Sequence, residues 1–332
     1  MVLLLLSHPL DGHIGPIRHV LQSRGAEVLC MDLADVPLYS AFSASLETGR
    51  WKGHLRTQER VIDLDQIQAV WWRRPTHAVP PSAYTPAESA FWVRENERGF
   101  TSMLLPPPGM LTPFWVSRPD AIRHAARKPF QLVTAQTLGL HVPRTLLTTD
   151  PQAVRDFYDA CHGRLICKAI ARGVIESGEE DQPGAKRFVY TSAVTQEHLA
   201  HVEHVSTMAH YFQEVVSKVL DVRVVVIGKQ IFAVEIQSPD DGPVHLDWRR
   251  DYSQLTYAVH QLPQELEQKL AQLVRLNGLQ FSSMDLILEE DGNYRFIEQN
   301  PNGQFLWFAQ ATGLPLAEAM ANLLMYPEEY GL

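Results

Sequence analysis

The segment FSSMDLILEEDGNYRFIEQNPNGQF (Phe281 to Phe305) reads as a strand, a tight turn and a second strand. An Asp291-Gly292 pair favours a two-residue type I′ turn, which sets Asp285 directly opposite Glu298. Side chains two apart on a strand share a face, so Asn300 joins these carboxylates, while Leu286, Leu288 and Ile297 point the other way into a core. Carboxylates opposed on one face repel unless a cation neutralises them. Hard oxygen donors without a thiolate suit Mg²⁺ or Mn²⁺, which in such sites usually bridges a nucleotide's phosphates. The chemistry expected of this hairpin therefore uses ATP. Glu289 and Glu290, beside the turn, read as solvated.

Cations that could meet phosphates are also present. Lys168 sits inside the apolar strand RLICKAI and needs an anion, because burying an unpaired ammonium is expensive. Lys128 in RHAARKPFQ has the weaker claim, since helix surfaces are rich in lysine. Gln213 and Glu214 interrupt an apolar run just before a connector, where free backbone groups can read a flat base edge. Arg223 alternates with Val222 and Val224 and so faces away from them, toward a phosphate, a carboxylate or solvent. Asp247 and Arg249 are two apart in HLDWRRDY, where a bidentate guanidinium can orient an acidic substrate. Arg73 and Arg74 follow VWW at a strand's C-terminal end, the edge of a parallel sheet at which ligands usually bind. His198, His201 and His204 recur every three residues but lack H-E-x-x-H and a cysteine partner, and read as a solvated face. No G-x-S-x-G elbow and no G-x-G-x-x-G after the first strand are present.

The elements that must position these residues are legible as alternations. Val2 to Leu6, Ile14 to Arg24, Glu27 to Met31 and Ala69 to Trp72 alternate strand, helix, strand, strand, which predicts a parallel sheet covered by helices. LLPPPGMLTP (Leu104 to Pro113) is the candidate linker. A helix around Pro119 to Leu138, a strand before TTDP, a helix opened by Pro151 and the Lys168 strand follow, and the later segments are rich in strand. Gly178 to Gly184 reads as an exposed loop. KRFVYTS (Lys186 to Ser192) alternates Phe188 and Tyr190 on one face, as a hairpin strand carrying aromatic anchors, with a helix from Thr195 to His204 beside it.

Composition bounds the function classes. With 332 residues and 45% hydrophobic content the chain buries a large core in two or three lobes. A formal net charge of -9 argues against sequence-independent nucleic-acid binding and against an anionic membrane surface. The opening MVLLLLSHPL is too short for a span and lacks a signal peptide's basic start. Three cysteines, Cys30, Cys161 and Cys167, without C-x-x-C spacing, point to the reducing cytoplasm.

In order and spacing, Lys128, Lys168, QEVV, DVR, Asp285 and EQNPNGQ resemble the ATP-grasp ligase superfamily from about Phe114 to Leu332. VWWRRP, YFQEVVSK, DWRRDY and NPNGQFLWF further resemble the microviridin-type, or graspetide, ligases that crosslink ribosomally made precursor peptides, across nearly the whole chain. The resemblance implies an α/β fold with α+β lobes: a pre-ATP-grasp parallel-sheet domain (1–110), an N-terminal ATP-grasp lobe (114–212) and a C-terminal lobe with the metal site (213–332). It implies ATP with Mg²⁺ or Mn²⁺, Lys128 and Lys168 on phosphates, Gln213, Glu214 and Val216 around adenine, Asp221 toward ribose, and Asp285, Glu298 and Asn300 on the metal. Arg73, Arg74, Arg223 and Arg249 fall to the acidic peptide and the acyl phosphate, and Phe188 and Tyr190 to a leader peptide. The implied partner is a precursor peptide of leader plus acidic core, the implied assembly a homodimer. Gln299 departs from the family's apolar residue, and no glycine-rich lid follows Lys168. Two other readings stay open: an amino-acid or dipeptide ligase that needs no leader, and a nucleotide-binding regulator without turnover.

Overall fold

The computed structural model describes residues 2–106, 113–171, 173–176, 186–239 and 241–332. An unbroken apolar run is a strand buried on both faces, and Val2–Ser7 is that strand: Val2 to Leu6 are at most 1% exposed. It pairs in parallel with Glu27–Met31 on one side and Ile67–Arg74 on the other, and Phe114–Val116 completes a four-stranded parallel sheet. Helix Ile14–Ser23 makes the crossover, turning Ile17 and Leu21 into the core. A three-stranded antiparallel meander, Ala41–Glu47, Arg50–Arg56 and Val61–Asp63, lies between the second and third strands and was not foreseen. Because Phe114–Val116 belongs to this sheet, the sheet extends past the boundary drawn at 110. The expected linker falls mainly on 107–112, and the loop Gly178 to Gly184 falls on 177–185, both outside the described residues.

Among the described residues three antiparallel sheets follow, one of them the two-stranded ribbon Val174–Glu176 with Lys186–Phe188. Of the other two, the first has the order Ser192–Ala193, Leu165–Lys168, His210–Glu214, Thr145–Thr148, backed by helix Pro151–Ala160. The second has five strands, Thr256–His260, Gln230–Gln237, Leu220–Ile227, Phe281–Leu288 and Tyr294–Asn300. Its Val222, Val224, Met284 and Leu286 face helix Gln264–Leu276, which supplies Leu270 and Leu273. The single helix expected around Pro119 to Leu138 is two, Pro119–Ala125 and Lys128–Thr137. Pro129 has no N–H to give and its ring collides with the carbonyl four residues back, so the helix cannot run through. The break makes Lys128 the first residue of the second helix rather than a surface lysine in mid-helix.

Helix Leu316–Met325 joins the halves. It buries Leu316, Ala319, Met320, Ala321, Leu323 and Leu324, and packs in one continuous core with Leu3, Leu5 and Trp71 of the parallel sheet and Val225, Ile227 and Phe281 of the five-stranded sheet. A helix apolar this far around its circumference must be enclosed. Among the described residues no helix is long and apolar enough to cross a membrane. Met320→Ala is expected to cost about 2–5 kcal/mol of stability while leaving urea unfolding a single transition, because both sheets rest on this helix. Two separated transitions by tryptophan fluorescence and circular dichroism would show independent cores instead.

Candidate active site

Asp285 and Glu298 are cross-strand partners, as the hairpin reading expects, but by a different route. The turn is not a two-residue type I′ loop: Glu289 N donates to Asn293 O, leaving Glu290, Asp291 and Gly292 as a three-residue loop with Gly292 at φ 82°. That shifts the register by one near the turn, where Leu286 opposes Phe296, and a bulge between Asp285 and Leu286 restores it. Two irregularities cancel at the carboxylates. The bulge also corrects the expected core: Phe296, 1% exposed, packs beside Leu286, while Ile297 is only partly buried.

The opposed carboxylates are neutralised by the protein itself. Arg223, across from Asp285 on the neighbouring strand, places Nη1 2.5 Å from Asp285 Oδ1. Lys128 Nζ lies 3.1 Å from Glu298 Oε2, and Arg249 Nη1 lies 3.8 Å from Glu298 Oε1. Asn300 donates its Nδ2 to Glu298 Oε1 at 3.1 Å. Burial by itself would raise the Glu298 pKa, but Lys128 and Arg249 outweigh it and hold this carboxyl well below the usual range. Asp285 is pushed up, by burial first and with the Glu298 charge acting in the same direction against Arg223. Repulsion alone therefore does not demand a metal here, which corrects the sequence argument.

The cations are in turn held in place. Arg249 makes a two-pronged contact to the buried Asp247, Nε to Oδ1 and Nη2 to Oδ2, both 2.8 Å. Asp247 Oδ2 also accepts from Thr191 N at 3.0 Å, fixing the loop that carries Tyr190. Lys128 Nζ donates to Ala169 O, next to Lys168, at 2.9 Å. Among the described residues no carboxylate reaches Lys168 within ion-pair distance. Its pKa is pushed down to about 8 by burial, with Glu298 pulling up and Lys128 and Arg249 pushing down. A partly desolvated ammonium beside other cations on a cleft wall favours an anionic ligand.

These groups line a cleft of about 480 Å³ whose wall includes Lys128, Lys168, Tyr190, Arg249, Glu298 and Asn300. Through Val174, Phe188 and Asn300 it adjoins a groove of about 1390 Å³ that runs over Asn302 and Gly303 to Arg74, Thr76 and His77 of the parallel sheet. A further cleft of about 540 Å³ lies between Phe114 and the C-terminal residues, where Glu328 and Glu329 supply acids instead of cations. Asp285, Glu298 and Asn300 suit a small hard cation: Mg²⁺ needs one or two carboxylates and keeps waters, and the Asn300 amide nitrogen is the atom turned to Glu298, leaving its oxygen. No larger cluster of His, Cys, Asp or Glu that could hold a metal occurs among the described residues.

Other expected site residues have different surroundings. Arg73 is fully buried, with Nε 3.1 Å from Asp11 Oδ2 and Nη1 donating to Asn302 O at 2.6 Å and Gly303 O at 2.9 Å. A guanidinium so engaged has nothing to offer a substrate carboxylate, so its expected peptide contact is corrected. Arg74, half-buried on the groove wall, donates to Asn302 O at 3.1 Å. Gln213 is buried and donates to Thr145 Oγ1 and Tyr211 OH. Glu214 accepts from Arg144 N at 2.9 Å, and Val216 is half-buried beyond the strand end. The polar side chains of this segment are thus turned to protein neighbours. Asp221 takes Lys218 Nζ at 2.7 Å. Phe188 is 58% exposed at the end of strand Lys186–Phe188, opposite Val174, but Tyr190 lies beyond that strand with the Arg250 guanidinium 4.9 Å over its ring. The helix expected from Thr195 to His204 is Gln196–Ala200 followed by a 3₁₀ stretch, and His198 closes a capping box with Thr195. Gln299 is buried and accepts from Asn277 Nδ2 at 2.7 Å.

The sequence reading missed Tyr252 on the cleft wall, and the polar set Ser7, Asp11 and His13. The second set carries a signal: polar residues directly after a fully buried strand, at the C-terminal edge of a parallel sheet.

A parallel-sheet domain followed by antiparallel sheets around a cation-lined cleft defines the class: the chain has the fold of the ATP-grasp ligases and resembles the microviridin-type peptide maturases. Residues 2–116 match the family model described as the MvdD pre-ATP grasp domain. The chain is similar to the macrocyclase MdnB from Microcystis aeruginosa MRC, at 27% identity over 98% of this chain and 99% of that one, with a TM-score of 0.77. Macrocyclase MdnC of the same organism, bound with precursor peptide MdnA, shares the fold at 24% identity and TM-score 0.83, over 98% and 99% of the two chains. A Chryseobacterium gregarium RiPP-associated ATP-grasp ligase, in complex with ADP and a leader and core peptide, shares it at 22% and 0.85, over 98% and 96%. No curated protein matches the sequence.

A free Lys168 loses its proton as pH rises through about 8, whereas bound phosphate favours the ammonium. ATP affinity is therefore expected to fall above pH 8, by up to about tenfold per unit, with net proton uptake on binding. Calorimetry in two buffers of different ionisation enthalpy measures both, and Lys168→Met should abolish the uptake. A pH-independent affinity from 7 to 9.5 would remove Lys168 from the phosphates.

Proposed function

We propose that this chain is an ADP-forming macrocyclase that activates Asp or Glu side chains of a ribosomally made precursor peptide and closes ester or amide crosslinks with Ser, Thr or Lys. The observation that carries the reading is the junction of two spaces at Val174, Phe188 and Asn300: a nucleotide-sized, cation-lined cleft opening into a groove large enough for an extended peptide. A ligase for free amino acids needs no such groove.

In this reading a peptide carboxylate oxygen attacks the γ-phosphorus, ADP departs, and an acyl phosphate forms. A hydroxyl or amine then attacks the acyl carbon, phosphate leaves, and one proton is released. Lys128 and Lys168 hold the phosphates, while Arg223 and Arg249, oriented by Asp285 and Asp247, face the charge that develops on the transferring group. Asp285, Glu298 and Asn300 would hold Mg²⁺ or Mn²⁺, which when bound supplies further neutralisation of phosphate charge. Arg74 serves the acidic core peptide, and Phe188 and Tyr190 the leader. No covalent protein nucleophile is required, and positioning carries much of the rate.

Asp285→Asn and Glu298→Gln are expected to abolish ADP release while the circular dichroism stays that of wild type; full turnover in either folded variant removes the metal assignment. With its own precursor, mass spectrometry should find the product lighter by one water per crosslink. ATP hydrolysis with an unaltered peptide mass would favour the regulator reading, and crosslinking of free amino acids the dipeptide-ligase reading.

A further inference from the structure

The stretch just after Asn300 is irregular in backbone yet closely held, by a turn bond from Gly303 N to Asn300 O, by the Asn302 amide on the Arg73 carbonyl, and mainly by side chains from elsewhere. Arg73 donates to the carbonyls of Asn302 and Gly303, and Arg223 Nη2 donates to the carbonyl of Gln304 at 3.1 Å. The next two backbone N–H groups, of Phe305 and Leu306, donate to one atom, His13 Nε2, at 3.0 and 3.3 Å. Five backbone groups over four successive peptide units are thus satisfied without a sheet ladder or a helix, as buried backbone requires. A Cβ on Gly303 would stand 2.6 Å from Ser283 Cβ and 3.0 Å from Arg223 Nη2, so the stretch has no slack there.

An imidazole nitrogen can accept two N–H bonds only when it carries no proton. The proton then belongs on Nδ1, which lies 2.8 Å from Asp11 Oδ1. Asp11 is oriented by Ser7 Oγ at 2.8 Å from Oδ2 and by the His13 N–H at 3.1 Å from Oδ1, and pairs with Arg73. The groups facing His13 are Asp11 on its own loop, Arg73 and Arg74 from strand Ile67–Arg74, and the Phe305 ring at 4.8 Å. Burial and the two guanidiniums lower the His13 pKa and outweigh Asp11, which keeps the acceptor nitrogen free at neutral pH.

We propose that Asp11, His13 and Arg73 form a latch by which the parallel-sheet domain positions Asn300, and with it the cation site, of the C-terminal sheet. Only Pro301 lies between Asn300 and Asn302, the first latched carbonyl, a reach of about 7 Å at most, so fixing Asn302 to Leu306 fixes the strand end. The latch rests on the metal reading given above, and its members are positioning residues that touch neither nucleotide nor peptide. It gives the N-terminal domain a task beyond lining the peptide groove.

The test uses the full chain. Mn²⁺ is titrated in the presence of ADP and followed by electron paramagnetic resonance, and amide exchange is read at Phe305 and Leu306. His13→Leu is expected to weaken Mn²⁺ about tenfold or more and to unprotect both amides. His13→Gln, whose Oε1 can accept an N–H, should recover most of that loss, a rescue that a merely space-filling histidine does not predict. Asp11→Asn, which keeps volume but loses the charge that fixes the tautomer, provides a milder variant should His13→Leu not fold. ¹⁵N-histidine spectra of wild type should show Nδ1 protonated and Nε2 bare. Unchanged Mn²⁺ affinity and exchange in folded variants, or an Nε2-protonated ring, overturns the latch. If wild type itself binds no Mn²⁺ with ADP, the metal reading fails, and exchange at Phe305 and Leu306 still decides the latch.

Discussion

The largely buried pair of opposed carboxylates, Asp285 and Glu298, constrains everything around it. Two acids facing one another in a sheet are tolerable only when their charge is answered, and here three separate parts of the chain answer it. Arg223 comes from the adjacent strand, Lys128 from the start of helix Lys128–Thr137, which packs in the same core as the five-stranded sheet, and Arg249 from a 3₁₀ turn oriented by Asp247. Neutralising the acids therefore gathers three separate segments around one cleft. The same convergence leaves the partly buried Lys168 beside like charges, an arrangement unfavourable in itself and favourable toward phosphate.

Specificity of placement comes from exchanged anchors. Asp247 holds Arg249 and also the backbone of Thr191, so one carboxylate ties the loop after Tyr190 to the cleft arginine. Arg223 holds Asp285 and also the carbonyl of Gln304. Arg73, which a strand-end position suggests for ligand binding, is consumed in joining the first sheet to the last strand's exit. Charged side chains that look available in sequence are in several cases already committed to backbone.

The hairpin shows how a correct contact can follow from an incorrect path. Asp-Gly signalled a two-residue turn; the chain makes a three-residue one, and a bulge takes up the extra residue before Asp285. Turn chemistry is local and degenerate between these loops, whereas the burial of Phe296 and Met284 fixes the register of the whole strand pair. The core thus selected the pairing that the turn alone did not determine. In Lys128–Thr137 the opposite holds: Pro129 is a strictly local constraint, its consequence for Lys128 was readable, and only the strength of mid-helix periodicity hid it.

From sequence came the parallel first sheet, the strand-rich later lobes, the pairing of Asp285 with Glu298, and the set of lysines and arginines near them, because hydrophobic period and residue type are local properties. Tertiary structure decided which cation serves which anion, since that depends on three-dimensional distance between segments as far apart as Lys128 and Glu298. It decided that Gln213 and Glu214 turn their side chains inward to neighbours, and that Tyr190 leaves the strand that ends at Phe188. It also joined His13 to Phe305, nearly the full chain length away, through an imidazole whose role exists only once the folded chain has removed both from water. Residue type names the chemistry a side chain can do; burial and partners determine which of those options remains open.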